Sequence, residues 1–220
     1  GSLFMDGKPY VEGVKAILNI AKQFDDLEFV DLGGGFGIPY EKLNDQPRLD
    51  MVELGKQLDE VFEQFVKDYG KEITFKIEPG RYVSAECGVL LGTVTAVKHN
   101  GEDKYIGTDI GFNVLQRPVM YDSHHDIEVY NDSDNTEDVT VVGNICESGD
   151  ILAKHRICPE MHVGDTMAML DAGAYGYCMA SNYNNRLRPA EVLIRENGEA
   201  VLVRERDELE DLTRHMKSIK

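Results

Sequence analysis

Apolar residues recur along the first third of the chain at two alternating spacings. In residues 10–24, Val11, Val14, Ile17, Leu18 and Ala21 repeat every three or four positions, the period of one helix face. Residues 27–32 form a short apolar run that predicts a strand, and it ends in Gly33-Gly34-Gly35-Phe36-Gly37. Pro39 and the polar residues up to Arg48 predict a loop. In residues 50–69 the stripe is Leu54, Leu58, Val61, Phe62 and Phe65, and Gly70 follows where glycine commonly ends a helix. Residues 73–77 predict a second strand, which runs into Glu78-Pro79-Gly80-Arg81. Helix, strand, long helix, strand is the alternation that builds parallel strands with helices packed outside. Ligands on such sheets gather at the carboxyl ends of the strands, and both glycine-bearing loops lie there. Glycine lets backbone N–H groups approach an anion closely, so the two loops are expected to hold one phosphate between them.

Beyond about Cys87 the pattern changes to short β-rich runs separated by turns, at residues 89–97, 104–110, 127–130, 139–143 and 166–171. Residues 191–195 and 200–203 flank Glu196-Asn197-Gly198-Glu199, and Asn-Gly between two such runs predicts a hairpin. Residues 207–216 predict a short terminal helix. The fold class is therefore α/β plus all-β: an α/β domain over residues 1–86 and a β-barrel or β-sandwich domain over 87–220. Two parallel strands cannot bury a sheet on both faces, so residues 1–86 are expected to be the end of a larger α/β unit.

The composition narrows the function. A net charge of −17 over 220 residues argues against nucleic acid, whose phosphates require Lys and Arg. No apolar run approaches the ~20 residues that span a bilayer, and there is no signal-peptide-like start, so no membrane partner and a cytoplasmic location are expected. Cys87, Cys146, Cys158 and Cys178 show neither metal-ligand nor disulfide-scaffold spacing, as in a reducing compartment. His124-His125 is an isolated adjacent pair, and no metal site is expected there. Residues 126–138, with six acids and no base, predict a solvated loop.

Each remaining motif has an ordinary structural reading when taken alone. The glycine cluster can be a tight turn, and Glu78-Pro79-Gly80-Arg81 a surface turn with a salt bridge. Cys146-Glu147-Ser148-Gly149-Asp150 can be a β-turn with a small buried Cys. Asp171-Ala172-Gly173-Ala174-Tyr175-Gly176 can be a packed strand end, and Arg117, Pro118 and Tyr121 surface loop residues.

In this order, together with the run SNYNNRLRPAEVL at residues 181–193, the motifs resemble the fold-type III pyridoxal-phosphate (PLP) decarboxylases, the family that holds diaminopimelate and ornithine decarboxylases. The resemblance covers essentially the whole chain, and Cys-Glu-Ser-Gly-Asp with the Arg-Pro-x-x-Tyr run is closer to the diaminopimelate branch. It implies that residues 1–86 are the last strands and helices of a PLP-binding (β/α)8 barrel. Gly34 and Gly35 would cradle the PLP phosphate, with Gly80 and Arg81 beside it and Tyr175 touching phosphate or cofactor. Glu78 would pair with the pyridine nitrogen. Arg81, Arg117, Tyr121 and Tyr175 would contact the substrate, with a guanidinium gripping the carboxylate far from the scissile bond. Glu147 would read the distal ammonium, and Cys146 would supply a proton at Cα. In the family these two reach the partner subunit's site, so an obligate homodimer with shared active sites is implied. The reaction implied is decarboxylation of meso-2,6-diaminopimelate to L-lysine. A sibling decarboxylase acting on ornithine, arginine or another amino acid, and a non-catalytic fragment or paralogue that only dimerises, are the alternatives. The family's Schiff-base lysine falls in a segment preceding Gly1, so these 220 residues alone are expected to be inactive. Tyr121-Asp122-Ser123-His124-His125 departs from the family's usual Gly-Ala-Tyr-His run.

Overall fold

A computed structural model describes residues 3–218, and the chain divides into two compact units, one ending at Gly88 and the other beginning at Val89. In the first unit, helix α1 spans Gly7–Ala21. It starts three residues before the apolar periodicity does, because the Asp6 carboxylate accepts from Lys8 N and Pro9 is tolerated in a first turn. It also stops short of Phe24, which is exposed. Its stripe buries Tyr10, Val11, Val14, Leu18 and Ala21. Helix α2, Met51–Tyr69, is capped by Asp50, whose carboxylate accepts from Val52 N and Glu53 N, and ends at Gly70 with φ 76°. It buries Leu54 and Phe65, while Phe62 stacks on Phe75 at 4.1 Å. Strands β1, Phe29–Asp31, and β2, Thr74–Lys76, pair in parallel with Val30 opposite Phe75. Helix α3, Gly80–Ser84, follows β2 directly.

The second unit is a six-stranded sheet made of β3 (Leu90–Asn100), β4 (Asp103–Thr108), β5 (Ile127–Tyr130), β6 (Thr136–Val142), β7 (Ile151–Pro159) and β8 (Thr166–Met169). Their spatial order is β5-β8-β3-β4-β6-β7, antiparallel except for the β4–β6 pair. The edge strands β5 and β7 come within 8 Å of each other between Cα atoms, so the sheet curls into a nearly closed barrel. Its interior holds Val94, Ile106, Leu115, Val141, Leu152, Met167 and Met169. Helix α4, Arg117–Tyr121, lies between β4 and β5. Hairpin β9 (Glu191–Ile194) and β10 (Ala200–Arg204) pairs around Asn197-Gly198, and helix α5, Leu209–Thr213, closes the described chain.

Four expectations change. Strand β7 has no counterpart in the sequence reading: its apolar alternation is broken by Lys154, His155 and Arg156, with His155 at φ 46°. The acidic stretch 126–138 is not one solvated loop, because β5 and β6 take its two ends and Asp126 is buried. Arg117 and Tyr121 bound a helical turn, with Pro118 in its first turn where a missing N–H costs nothing. The terminal helix is five residues rather than ten, because Asp207 is taken by Arg188 and Glu208 caps instead.

Candidate cofactor and substrate site

The glycine loop and the Glu78-Pro79-Gly80-Arg81 loop are direct neighbours. Parallel pairing runs past the strands, with Leu32 N donating to Lys76 O at 2.9 Å and Glu78 N to Gly33 O at 2.8 Å. The loop is pinned from three more sides. The Asp31 carboxylate accepts from Gly33 N at 2.9 Å. Phe4 N donates to Gly35 O at 2.7 Å, and the Tyr10 hydroxyl lies 3.5 Å from the Leu32 and Gly33 carbonyls. Burial, and then Asp31, raise the Tyr10 phenol above its usual range, which keeps it a donor. Gly34 is required by contact: a Cβ there would lie 1.9 Å from the Glu78 carbonyl oxygen. The half-buried Gly34 and Gly35 N–H groups have no hydrogen-bond partner among the described residues. Two such donors on a glycine loop are suited to an anion, and Glu78, on the adjoining strand end, is exposed. Arg81 leaves the same strand end on α3, half-buried, with Nη1 donating to the Tyr40 hydroxyl at 2.9 Å.

The second unit carries the other candidates. Cys146 and Glu147 sit exposed on a tight loop between β6 and β7. That loop is built around Asp150, which is 3% exposed and accepts from Phe112 N at 2.7 Å and Ile145 N at 2.9 Å. Burial raises its carboxyl above the ordinary carboxylate range, against the pull of those two N–H groups. Gly143 makes room for it, since a Cβ there would meet Asp150 Oδ2 at 2.2 Å. Glu147 Oε2 accepts from the Tyr183 hydroxyl at 3.2 Å, and the Tyr183 ring packs on Phe112 at 5.2 Å. The conspicuous Cys-Glu pair therefore depends on the Asp that ends its own motif, and the SNYNN run supplies the phenol that holds Glu147.

Tyr175, at φ 60°, and Tyr121 are both exposed. Arg117 is not the surface residue its sequence context suggests. It is 3% exposed, with Nη1 2.7 Å from His125 Nε2 and Nη2 donating to Ser123 Oγ at 3.2 Å. Gly34, Gly35, Glu78, Gly80 and Arg81 are thus brought together in the first unit. Arg117, Tyr121, Cys146, Glu147 and Tyr175 lie in the second. His125, Asp150 and Tyr183 carry no site role in the sequence, although each falls in a conspicuous run, because their roles come from side-chain contacts that the motif spacing does not encode.

A parallel strand pair thus ends in a glycine cradle, and a curled sheet domain follows it in the chain. The chain belongs to the pyridoxal-dependent decarboxylases: the family model for their C-terminal sheet domain matches residues 26–173. Among individual proteins, it is 40% identical to the diaminopimelate decarboxylase of Methanothermobacter thermautotrophicus, over 97% of this chain and 51% of that protein. It is 42% identical to that of Archaeoglobus fulgidus, over 88% of this chain and 47% of that protein. The crystal structure of M. jannaschii diaminopimelate decarboxylase in co-complex with L-lysine superposes with TM-score 0.90 at 34% identity, over 99% of this chain and 50% of that one. The chain therefore spans about half the length of the relatives it matches. Its family cofactor is pyridoxal 5'-phosphate, and the Gly34 and Gly35 N–H groups, without a partner among the described residues, and an acidic side chain on the adjoining loop, Glu78, are of the chemistry that suits that group's phosphate and ring nitrogen.

Proposed function

We propose that this chain forms part of an enzyme that decarboxylates meso-2,6-diaminopimelate to L-lysine. The observation that carries the reading is the contact between the two loops at the ends of β1 and β2, which leaves the Gly34 and Gly35 N–H groups available to a phosphate. The relatives named diaminopimelate decarboxylase supply the substrate. Residues 3–88 are read as the last strands and helices of a (β/α)8 barrel. In support, Phe29, Ile77 and Val83 expose apolar surface that neighbouring barrel elements would cover.

Bound PLP supplies the electron sink for the pair left at Cα when CO2 departs. Gly34 and Gly35 bind its phosphate through backbone N–H groups, with Gly80, Arg81 and Tyr175 contributing to cofactor contact. Glu78 accepts from the pyridine N–H and so holds the proton on that nitrogen. Arg81, Arg117, Tyr121 and Tyr175 bind and orient the substrate, the guanidinium of Arg117 pairing with its distal carboxylate. Glu147 accepts from the distal ammonium, steadied by Tyr183. Cys146 carries the proton delivered to Cα. Cys146 and Glu147 are assigned to the site of a second copy in a homodimer, and a cytoplasmic location accords with four free cysteines.

The test is a substrate panel on the full-length PLP-loaded enzyme. Stoichiometric CO2 and L-lysine from meso-diaminopimelate, with little turnover of ornithine or arginine, is the expected result. Preference for ornithine or arginine would move the substrate assignment to a sibling decarboxylase, and no turnover of any of them would favour a non-catalytic dimerising role.

A further inference from the structure

His125 sits at the centre of a buried polar cluster in the second unit. It is 1% exposed, and both ring nitrogens are engaged. Nδ1 lies 2.6 Å from the carbonyl oxygen of Leu170, just past the end of β8. A carbonyl oxygen only accepts, so Nδ1 carries a proton. Nε2 lies 2.7 Å from Nη1 of Arg117, and a guanidinium only donates, so Nε2 presents its lone pair. The two contacts together fix the neutral Nδ1–H tautomer. His124 is turned to other partners, meeting Asp126 Oδ1 at 2.8 Å and receiving a bond from Arg156 of β7. The adjacent histidines thus serve different contacts, and no group of three or more metal-ligating side chains occurs among the described residues.

We infer that His125 is a positioning residue that holds the Arg117 guanidinium in one orientation for the substrate carboxylate. This rests on the proposed role of Arg117. An imidazole lone pair orients a guanidinium without neutralising it, whereas a carboxylate at that place would do both. Ser123 Oγ fixes the second guanidinium nitrogen, so rotation of the side chain is restrained at both ends. The titratable and charged groups that act on the ring are Arg117 from α4, His124 from its own segment and Arg156 from β7, while the buried Asp126 and Asp171 adjoin His125 and Leu170 in the chain. Burial lowers His125 to about 4, against the pull of the Leu170 carbonyl and with the Arg117 guanidinium adding to it. The lone pair therefore persists through the physiological range. Protonation would remove the acceptor and set a second cation against Arg117.

The experiment compares His125→Leu and His125→Gln with the wild-type full-length, PLP-loaded enzyme. Imidazole 15N spectra of the wild type should show Nδ1 protonated and Nε2 bare from pH 5 to 8. His125→Leu should raise KM for diaminopimelate about tenfold or more, the size expected for one lost bond to a charged group, with PLP occupancy unchanged and kcat within a few-fold. Gln retains an oxygen acceptor and an amide donor, so His125→Gln should recover most of that loss. An Nε2–H tautomer or an imidazolium at pH 7 would overturn the inference. So would equal KM losses in both variants, or a drop in PLP occupancy and kcat with KM unmoved. A wild type that is inactive on diaminopimelate refutes the functional reading instead, and the 15N spectrum then decides the His125–Arg117 contact by itself.

Discussion

Replacing Gly34 by Ala tests the contact on which the cofactor seat depends. The new Cβ would fall 1.9 Å from the Glu78 carbonyl oxygen, whereas real Cβ contacts essentially never come under 3.0 Å. The obstacle is backbone on a paired strand end, so the two loops must part by about 1 Å. Overpacking of this kind costs about 1–3 kcal/mol of stability. Parting the loops also misdirects the Gly34 and Gly35 N–H groups. A hydrogen bond to a charged group contributes about 1.5–3 kcal/mol, so losing one weakens PLP binding about tenfold to hundredfold. Gly33→Ala is the control. Gly33 has φ 67° and open space around it, so Ala there brings backbone strain of about 1–2 kcal/mol without touching Glu78. The assay is titration of the apo full-length enzyme with PLP, followed by absorbance, alongside thermal melting. Wild-type PLP affinity in Gly34→Ala, or an equal loss of affinity in Gly33→Ala, would refute the reasoning.

Three further outcomes are expected. Asp150→Ala strands the Phe112 and Ile145 N–H groups around a buried site and should destabilise the protein by about 2–5 kcal/mol in denaturant unfolding, with Asp150→Asn milder because one acceptor oxygen remains. His125 has a folded value of about 4, below the ordinary imidazole value, so the unfolded chain takes the proton first as pH falls. The stability it confers is complete above about pH 6.5 and is lost towards pH 4, at most about 3 kcal/mol, and His125→Gln should flatten that part of the stability–pH curve. Borohydride reduction of the PLP-loaded full-length enzyme, followed by peptide mapping, should place the phosphopyridoxyl-lysine outside these 220 residues; an adduct on any lysine of this sequence contradicts the role assignment.

The first unit was largely legible because its signals are local. A heptad-like stripe, Asp50 as cap and Gly70 as stop determine α2 almost to the residue. The adjacency of the two loops followed from βα alternation, which sends consecutive parallel strands to the same edge. The hairpin around Asn197-Gly198 was legible for the same reason, since its turn chemistry is contained in two residues. Strand β7 was not, because a positive φ at His155 and three consecutive polar residues break the period on which strand recognition depends. Five-residue helices such as α3 and α4 are too short to show a period at all, although Pro118 just inside α4 was a usable start signal. Arg117 illustrates a different limit. Arginine is rarely buried unless paired, and its partners His125 and Ser123 follow it on the far side of a helical turn. Asp150 is similar: its role depends on Phe112, 38 residues upstream, and on the space left by Gly143.

The most direct test of the central claim is the position of the cofactor phosphate in a crystal structure of the PLP-loaded full-length enzyme. The account predicts phosphate oxygens about 3 Å from both the Gly34 and Gly35 nitrogens, between the ends of β1 and β2, with the pyridine nitrogen at Glu78. A phosphate seated away from Gly34 and Gly35, or a pyridine nitrogen paired with another residue, would contradict it.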